Sequence, residues 1–126
     1  MKKIVLFMLL LCLLPFPLLA DELYIDSMVI AEGIEDYIPI EAGFTFPPDV
    51  EELCCFTKIC GATSETTITH IWYWKDEEII RINLPVGIGS WRTYSSIKIL
   101  PTWKGHWWVN VVHGEAVLGG IDFTIE

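Results

Sequence analysis

Cys54, Cys55 and Cys60, with His70, His106 and His113, are the residues whose types are best suited to chemistry. Thiolates and imidazoles bind metals or carry nucleophilic catalysis, but each use demands a spacing. A structural zinc site needs two separated ligand pairs, and no second pair accompanies the cysteines. On one strand Cys54 and Cys60 share a face about 20 Å apart, whereas a disulfide needs Cα atoms within about 7 Å. Buried free thiols packing as small hydrophobes are expected, with an intermolecular disulfide or a thiol or metal role as lesser alternatives. The three histidines lie in separate segments. A metal site built from them requires neighbouring strands to bring them together, so a hydrogen-bonded structural role is expected of each.

Catalytic motifs are missing. Gly87-Ile88-Gly89-Ser90 lacks the last glycine of a nucleophile elbow and precedes a strand rather than a helix. No His-Glu-x-x-His occurs, and glycine-rich phosphate cradles need a following helix that a β-rich chain does not offer. Acid pairs such as Glu35-Asp36 and Glu51-Glu52 are adjacent, so a strand points them to opposite faces. No catalytic residue, metal or cofactor is assigned, and a non-enzyme is expected.

The aromatic residues carry a clearer signal. Counting by two puts Ile68, His70, Trp72 and Trp74 on one side of a strand and Tyr73 on the other; Trp107, Val109 and Val111 likewise oppose Trp108. A two-layer sandwich buries only one face of each sheet, so some rings must lie outside. Arg92, Tyr94, Ser96 and Lys98 share one side of a later strand. Together Tyr73, Arg92, Tyr94, Ser96, Lys98 and Trp108 form the candidate ligand surface. Its cations and hydroxyls suit a carboxylate, sulfate or hydroxyl-rich ligand, and flat rings stack on sugars or on a partner's side chains. The partner class is thus a cell-envelope glycan or protein; the alternatives are an ordinary solvated face, or a structural subunit whose rings another chain covers.

These residues require strands to position them. Short β-branched and aromatic runs alternate with turn clusters, and helical periodicity is missing. Strands are expected over Leu23 to Ala31, Leu53 to Cys60, Thr66 to Lys75, Ile79 to Leu84, Trp91 to Leu100, His106 to His113 and Val117 to Ile125. Asp76-Glu77-Glu78 is read as a hairpin connection. Gly33 to Pro48 is read as irregular, edge-like chain because Pro39, Pro47 and Pro48 cannot donate to a ladder. Seven strands indicate an antiparallel immunoglobulin-like β-sandwich, with a small β-barrel as the alternative. Trp72, Trp107, Val109 and Val111 are assigned inward with Ile80, Ile82, Leu84, Trp91, Ile97, Ile99, Ile121, Phe123 and Ile125.

Composition sets the surroundings. The 126 residues carry a formal charge of -9. Met1-Lys2-Lys3, the apolar run Ile4 to Leu14, the break Pro15-Phe16-Pro17 and Leu18-Leu19-Ala20 have the order of a secretory signal peptide. The expected organisation is a leader over residues 1–20, cleaved near Ala20, and one β-sandwich domain over residues 21–126. Such a leader implies export to the periplasm or the cell exterior, with membrane contact only through the leader. An uncleaved anchor is the lesser reading, since two prolines cut the apolar run short of the roughly twenty residues a span needs. Residues 21–52 hold ten acids and no base, whereas residues 53–126 hold seven acids and six bases. Nucleic-acid binding is disfavoured because clustered Lys and Arg are lacking.

Several runs carry a family likeness: Cys55-Phe56-Thr57, Thr69-His70-Ile71-Trp72-Tyr73 and Trp91-Arg92-Thr93-Tyr94-Ser95-Ser96, continuing through Lys98, Ile99, Gly105, Trp107 and Val109. From Cys55 to Phe123 the chain resembles a bacterial family known as domain of unknown function 2914. The resemblance implies an exported or membrane-tethered β-rich domain and brings no activity, substrate or catalytic residue with it.

Overall fold

The computed structural model describes residues 22–126, so the leader read over residues 1–20 lies outside the described residues. Among these the strands are β1 (Tyr24–Glu35), β2 (Ile38–Gly43), β3 (Thr45–Phe46), β4 (Glu52–Ala62), β5 (Thr66–Trp74), β6 (Glu77–Val86), β7 (Gly89–Lys98), β8 (Gly105–His113) and β9 (Ala116–Ile125). They form two sheets, β2-β1-β4-β7 and β3-β9-β8-β5-β6, which do not close on each other. The fold is an immunoglobulin-like sandwich, and the barrel alternative falls. Every pairing is antiparallel except the two-residue contact of β3 with β9.

Alternation along the strands places the core. Ile30, Leu53, Cys55 and Ile97 from the first sheet meet Trp72, Trp107, Val109 and Phe123 from the second. Trp72, Trp107 and Phe123 are the largest fully buried side chains. The Phe123 ring lies edge-on to Trp72 at 6.1 Å and stacks on Trp107 at 5.8 Å, geometries that suit the aromatic quadrupole. Ile59, Ile68, Val86 and Val111 extend the apolar interior toward the other end.

Two expectations about strands and core need correction. Residues 33–48 are not irregular: β1 runs on to Glu35, and β2 and β3 occupy most of residues 38–46. Pro39 is accommodated because β2 is an edge strand, where a missing N–H costs no ladder bond; Pro85 sits on β6, an edge of the second sheet, for the same reason. Ile80 and Trp91 are the second correction, since both are 42% exposed despite lying on the inward side of their strands. Strands β6 and β7 are sheet edges, and these two residues overhang the facing sheet.

Turn chemistry fixes two hairpins. Asp36-Tyr37 joins β1 to β2 with φ of 51° and 59°, and Lys75-Asp76 joins β5 to β6 with φ of 48° and 67°. Two consecutive left-handed residues match the twist of paired strands, so the β5–β6 turn sits at Lys75-Asp76, not at Asp76-Glu77-Glu78.

The β1–β2 hairpin is bent. Pairing runs Ala31 with Ala42 and Gly33 with Ile40, skipping Glu32 and Glu41, and Glu41 has a φ of 54°. Beyond that bend the tip folds back over the outer face of the first sheet: Tyr37 meets the ring of Tyr94 edge-on at 5.9 Å. Tyr37, Ile38 and Pro39 lie beside Phe56, which is therefore only 6% exposed although it faces away from the core.

Candidate functional site

The six residues read from the sequence do not form one surface. Tyr73 and Trp108 lie on the outer face of the second sheet; Arg92, Tyr94, Ser96 and Lys98 lie on the outer face of the first, across the sandwich. Period-two counting identifies outward sides strand by strand but carries no information about which strands share a sheet.

On the second sheet the rings satisfy one another. Tyr73 stacks on Trp108 at 4.9 Å with planes 12° apart, and the His106 ring lies 5.3 Å from Trp108, tilted by 30°. His106 in turn reaches Asp122, Nε2 to Oδ2, at 3.3 Å. With Tyr73 stacked on Trp108 and His106 beside it, this row offers less free ring area to a sugar.

The first sheet is different. Its outer side carries Lys58 on β4 directly opposite Arg92 on β7. Like charges facing across a ladder are unfavourable, and an anion between them reverses the sign. Asp26 answers Lys58 at 3.4 Å. Arg92 has no ion pair or hydrogen bond among the described residues. Both cations line an open cleft of about 470 Å³ together with Asp36, Tyr37, Ser90 and Trp91. Tyr94, 39% exposed, is the next residue after Arg92 on the same side of β7. Trp91 lies flat over Gly87, where an added Cβ would come within 2.4 Å of the indole. The cleft thus has two cations in its floor, the Tyr37 phenol at its border and the bent hairpin as one wall.

Ser96 and Lys98 take other roles. Ser96 Oγ lies 3.1 Å from Cys54 Sγ. Lys98 faces Glu52 across the ladder and lines a separate cleft with Lys104 and residues 48–51. The residues missed in the sequence are Tyr37, Lys58 and Trp91. Lys58 had a signal, as the only Lys or Arg between Asp21 and Trp74. Tyr37 had none, because its place depends on a bend that closes over distant strands.

The remaining chemistry-bearing residues are structural. Cys54, Cys55 and Cys60 are all free, and Cys54 and Cys55 are buried. Burial pushes the thiols of Cys54 and Cys55 up, away from the reactive thiolate. His70 is fully buried in a directional chain of hydrogen bonds. Trp72 Nε1 donates to Ser95 Oγ at 3.0 Å, and Ser95 Oγ lies 2.7 Å from His70 Nδ1. His70 Nε2 lies 3.2 Å from Thr57 Oγ1, which donates to the carbonyl of Thr93 at 3.4 Å. Because the Thr57 proton goes to a carbonyl, Thr57 must accept from His70 Nε2–H, which leaves Nδ1 to accept from Ser95. The ring is neutral, and burial lowers its pKa to about 4. A serine beside an imidazole suggests a nucleophile, but Ser95 and His70 are both buried between the sheets, where no substrate reaches them. His106 and His113 lie elsewhere, and no group of three metal-ligating residues is assembled among the described residues.

Comparison with known proteins agrees with this frame. Residues 65–125, which span β5 to β9, match the sequence model of a family described as a protein of unknown function (DUF2914). The match includes the Thr69–Tyr73 and Trp91–Ser96 runs; Cys55-Phe56-Thr57 lies before it. No curated protein matches the sequence. Among solved structures, the chain is similar to an immunoglobulin-like protein from Pseudomonas aeruginosa, with a TM-score of 0.59 at 14% identity, over 83% of this chain and 97% of that one. At that identity the likeness speaks for the fold alone.

Proposed function

We propose that the chain is an exported, non-enzymatic binding module of the cell envelope that holds an anionic ligand on the outer face of its first sheet. The observation that carries this reading is the placement of Lys58 directly opposite an unpaired Arg92, in a cleft lined by Tyr37 and Trp91, with Tyr94 packed beside Tyr37. On a chain with a formal charge of -9, two adjacent cations form a local exception. A carboxylate or sulfate between them accepts two parallel N–H bonds from the Arg92 guanidinium, and the rings supply apolar contact beside it. Tyr73 and Trp108, on the far side, are outside this site. The leader-like residues 1–20 support export, and envelope polymers rich in acidic groups are the ligands such a module meets there.

Affinity electrophoresis through gels containing polygalacturonate, an acidic polysaccharide, or neutral dextran tests the reading. Retardation by polygalacturonate alone is expected, weakening at least tenfold in Arg92→Ala/Tyr94→Ala and unchanged in Trp108→Ala. Equal retardation of all three proteins would remove the site from consideration.

A further inference from the structure

Strand β7 is the edge of the first sheet, and its ten residues pair on one side only, with β4. Among the described residues no backbone–backbone hydrogen bond outside that ladder involves residues 90–98. An edge of this length is a template for another strand unless something blocks it. The other long edges are blocked: β2 carries Pro39 and the left-handed Glu41 at its bend, and β6 carries Pro85, a register shift near Trp72, and the charges Glu77, Glu78 and Arg81. β7 contains no proline, and no charged residue points inward from it, where Trp91, Thr93, Ser95 and Ile97 alternate.

What the edge displays is one-signed. Its outward charges are Arg92 and Lys98, with Tyr94 and Ser96 between them and no acid on the strand. Six residues of strand separate the two cations by about 20 Å. Beside the edge, where the sheets part, Trp91, Pro85, Val86 and Gly87 line a second cleft of about 350 Å³ with Glu65, Thr66 and Thr67. An inward-pointing side chain of an added strand would enter it.

We infer that β7 accepts an extended acidic polypeptide as a fifth strand of the first sheet. The partner segment carries carboxylates six residues apart, facing Arg92 and Lys98, and an apolar side chain of opposite parity that fills the cleft at Trp91. Main-chain hydrogen bonds to β7 supply affinity and the alternate side chains supply choice, as in other strand-addition complexes. This rests on the proposed anion site and names its ligand class. A second copy of the chain fits less well, because antiparallel pairing of β7 with itself gathers four cations at the seam and offers no acid.

The probe is a capped nine-residue peptide of alternating valine and threonine with glutamate at its second and eighth positions. Three companions accompany it: the same peptide with lysine at those positions, and two N-methylated at alternate residues, one set for each edge of the peptide. Titrated onto the folded chain and followed by amide hydrogen exchange, the glutamate peptide should slow exchange at β7. The lysine peptide should bind at least tenfold more weakly, and one of the two methylated sets should abolish binding. In Arg92→Glu/Lys98→Glu the preference between glutamate and lysine peptides should reverse, which keeps the test independent of that variant's affinity. Retained binding by both methylated peptides would overturn strand addition. Failure of the glutamate peptide while polygalacturonate still binds through Arg92 would overturn the peptide ligand and leave the anion site standing. Failure of both probes would overturn the two readings together, and concentration-dependent dimerisation that protects β7 would replace the foreign strand with a second copy.

Discussion

His70 is held in a place that suits only its neutral form. Unfolded, the ring titrates near 6.5; folded, burial lowers this to about 4. Between those values the unfolded chain holds more protons, so the contribution is fully present above pH 6.5 and is lost as pH falls toward 4. The span corresponds to about 3 kcal/mol. Urea unfolding at pH 7.5 and pH 5 should show about 2 kcal/mol of that loss in the wild type, and a flatter profile in His70→Ala at lower overall stability. Ser95→Ala orphans both the Trp72 N–H and His70 Nδ1 and should cost about 1–3 kcal/mol, read from the same unfolding curves. Gly61 is a second residue-scale constraint. Its φ is 100°, and a Cβ there would come within 2.4 Å of the Glu22 carbonyl oxygen, so Gly61→Ala should lower stability by about 2 kcal/mol or more.

At the scale of elements, hairpins and aromatic rows set stability apart from binding. The Lys75-Asp76 turn holds a non-glycine residue at each left-handed position. Asp76→Gly should raise the melting temperature, equivalent to about 0.5–1 kcal/mol, because glycine adopts that conformation without penalty. Trp108→Ala removes the Tyr73 stack and should cost about 1–2 kcal/mol in denaturant unfolding while leaving the anion cleft on the other sheet unaffected. Most strands were legible because alternation and turn residues are local: the β8–β9 hairpin differs from its expected bounds by one residue at each start. The bend at Glu32 and Glu41 was not legible, since what holds it is contact of Tyr37 with Tyr94, far along the chain. Trp91 has the parity of a core residue. Only the assembled sandwich shows that this end of β7 overhangs its partner sheet.

For the whole molecule, the runs that carry the family likeness divide by parity into two functions. Thr57, His70, Trp72, Thr93 and Ser95 point inward and form one buried hydrogen-bond chain that ties β4, β5 and β7 together across the core. Arg92 and Tyr94, from the same run, point outward, Arg92 into the cleft and Tyr94 against Tyr37. The sequence showed the outward stripe but joined it to Tyr73 and Trp108, because sheet membership depends on strand order and not on periodicity. Strands β1 and β2 of the acidic first third share one sheet with the cationic strand β7, and on the proposed reading Lys58 and Arg92 on the outer face of that sheet hold the ligand. Amide chemical-shift mapping of the 15N-labelled chain titrated with oligogalacturonate tests it most directly. Shifts centred on Tyr37, Lys58, Arg92 and Tyr94, diminishing as salt rises, are the expected result; shifts centred on Tyr73, His106 and Trp108, or none at all, would contradict it.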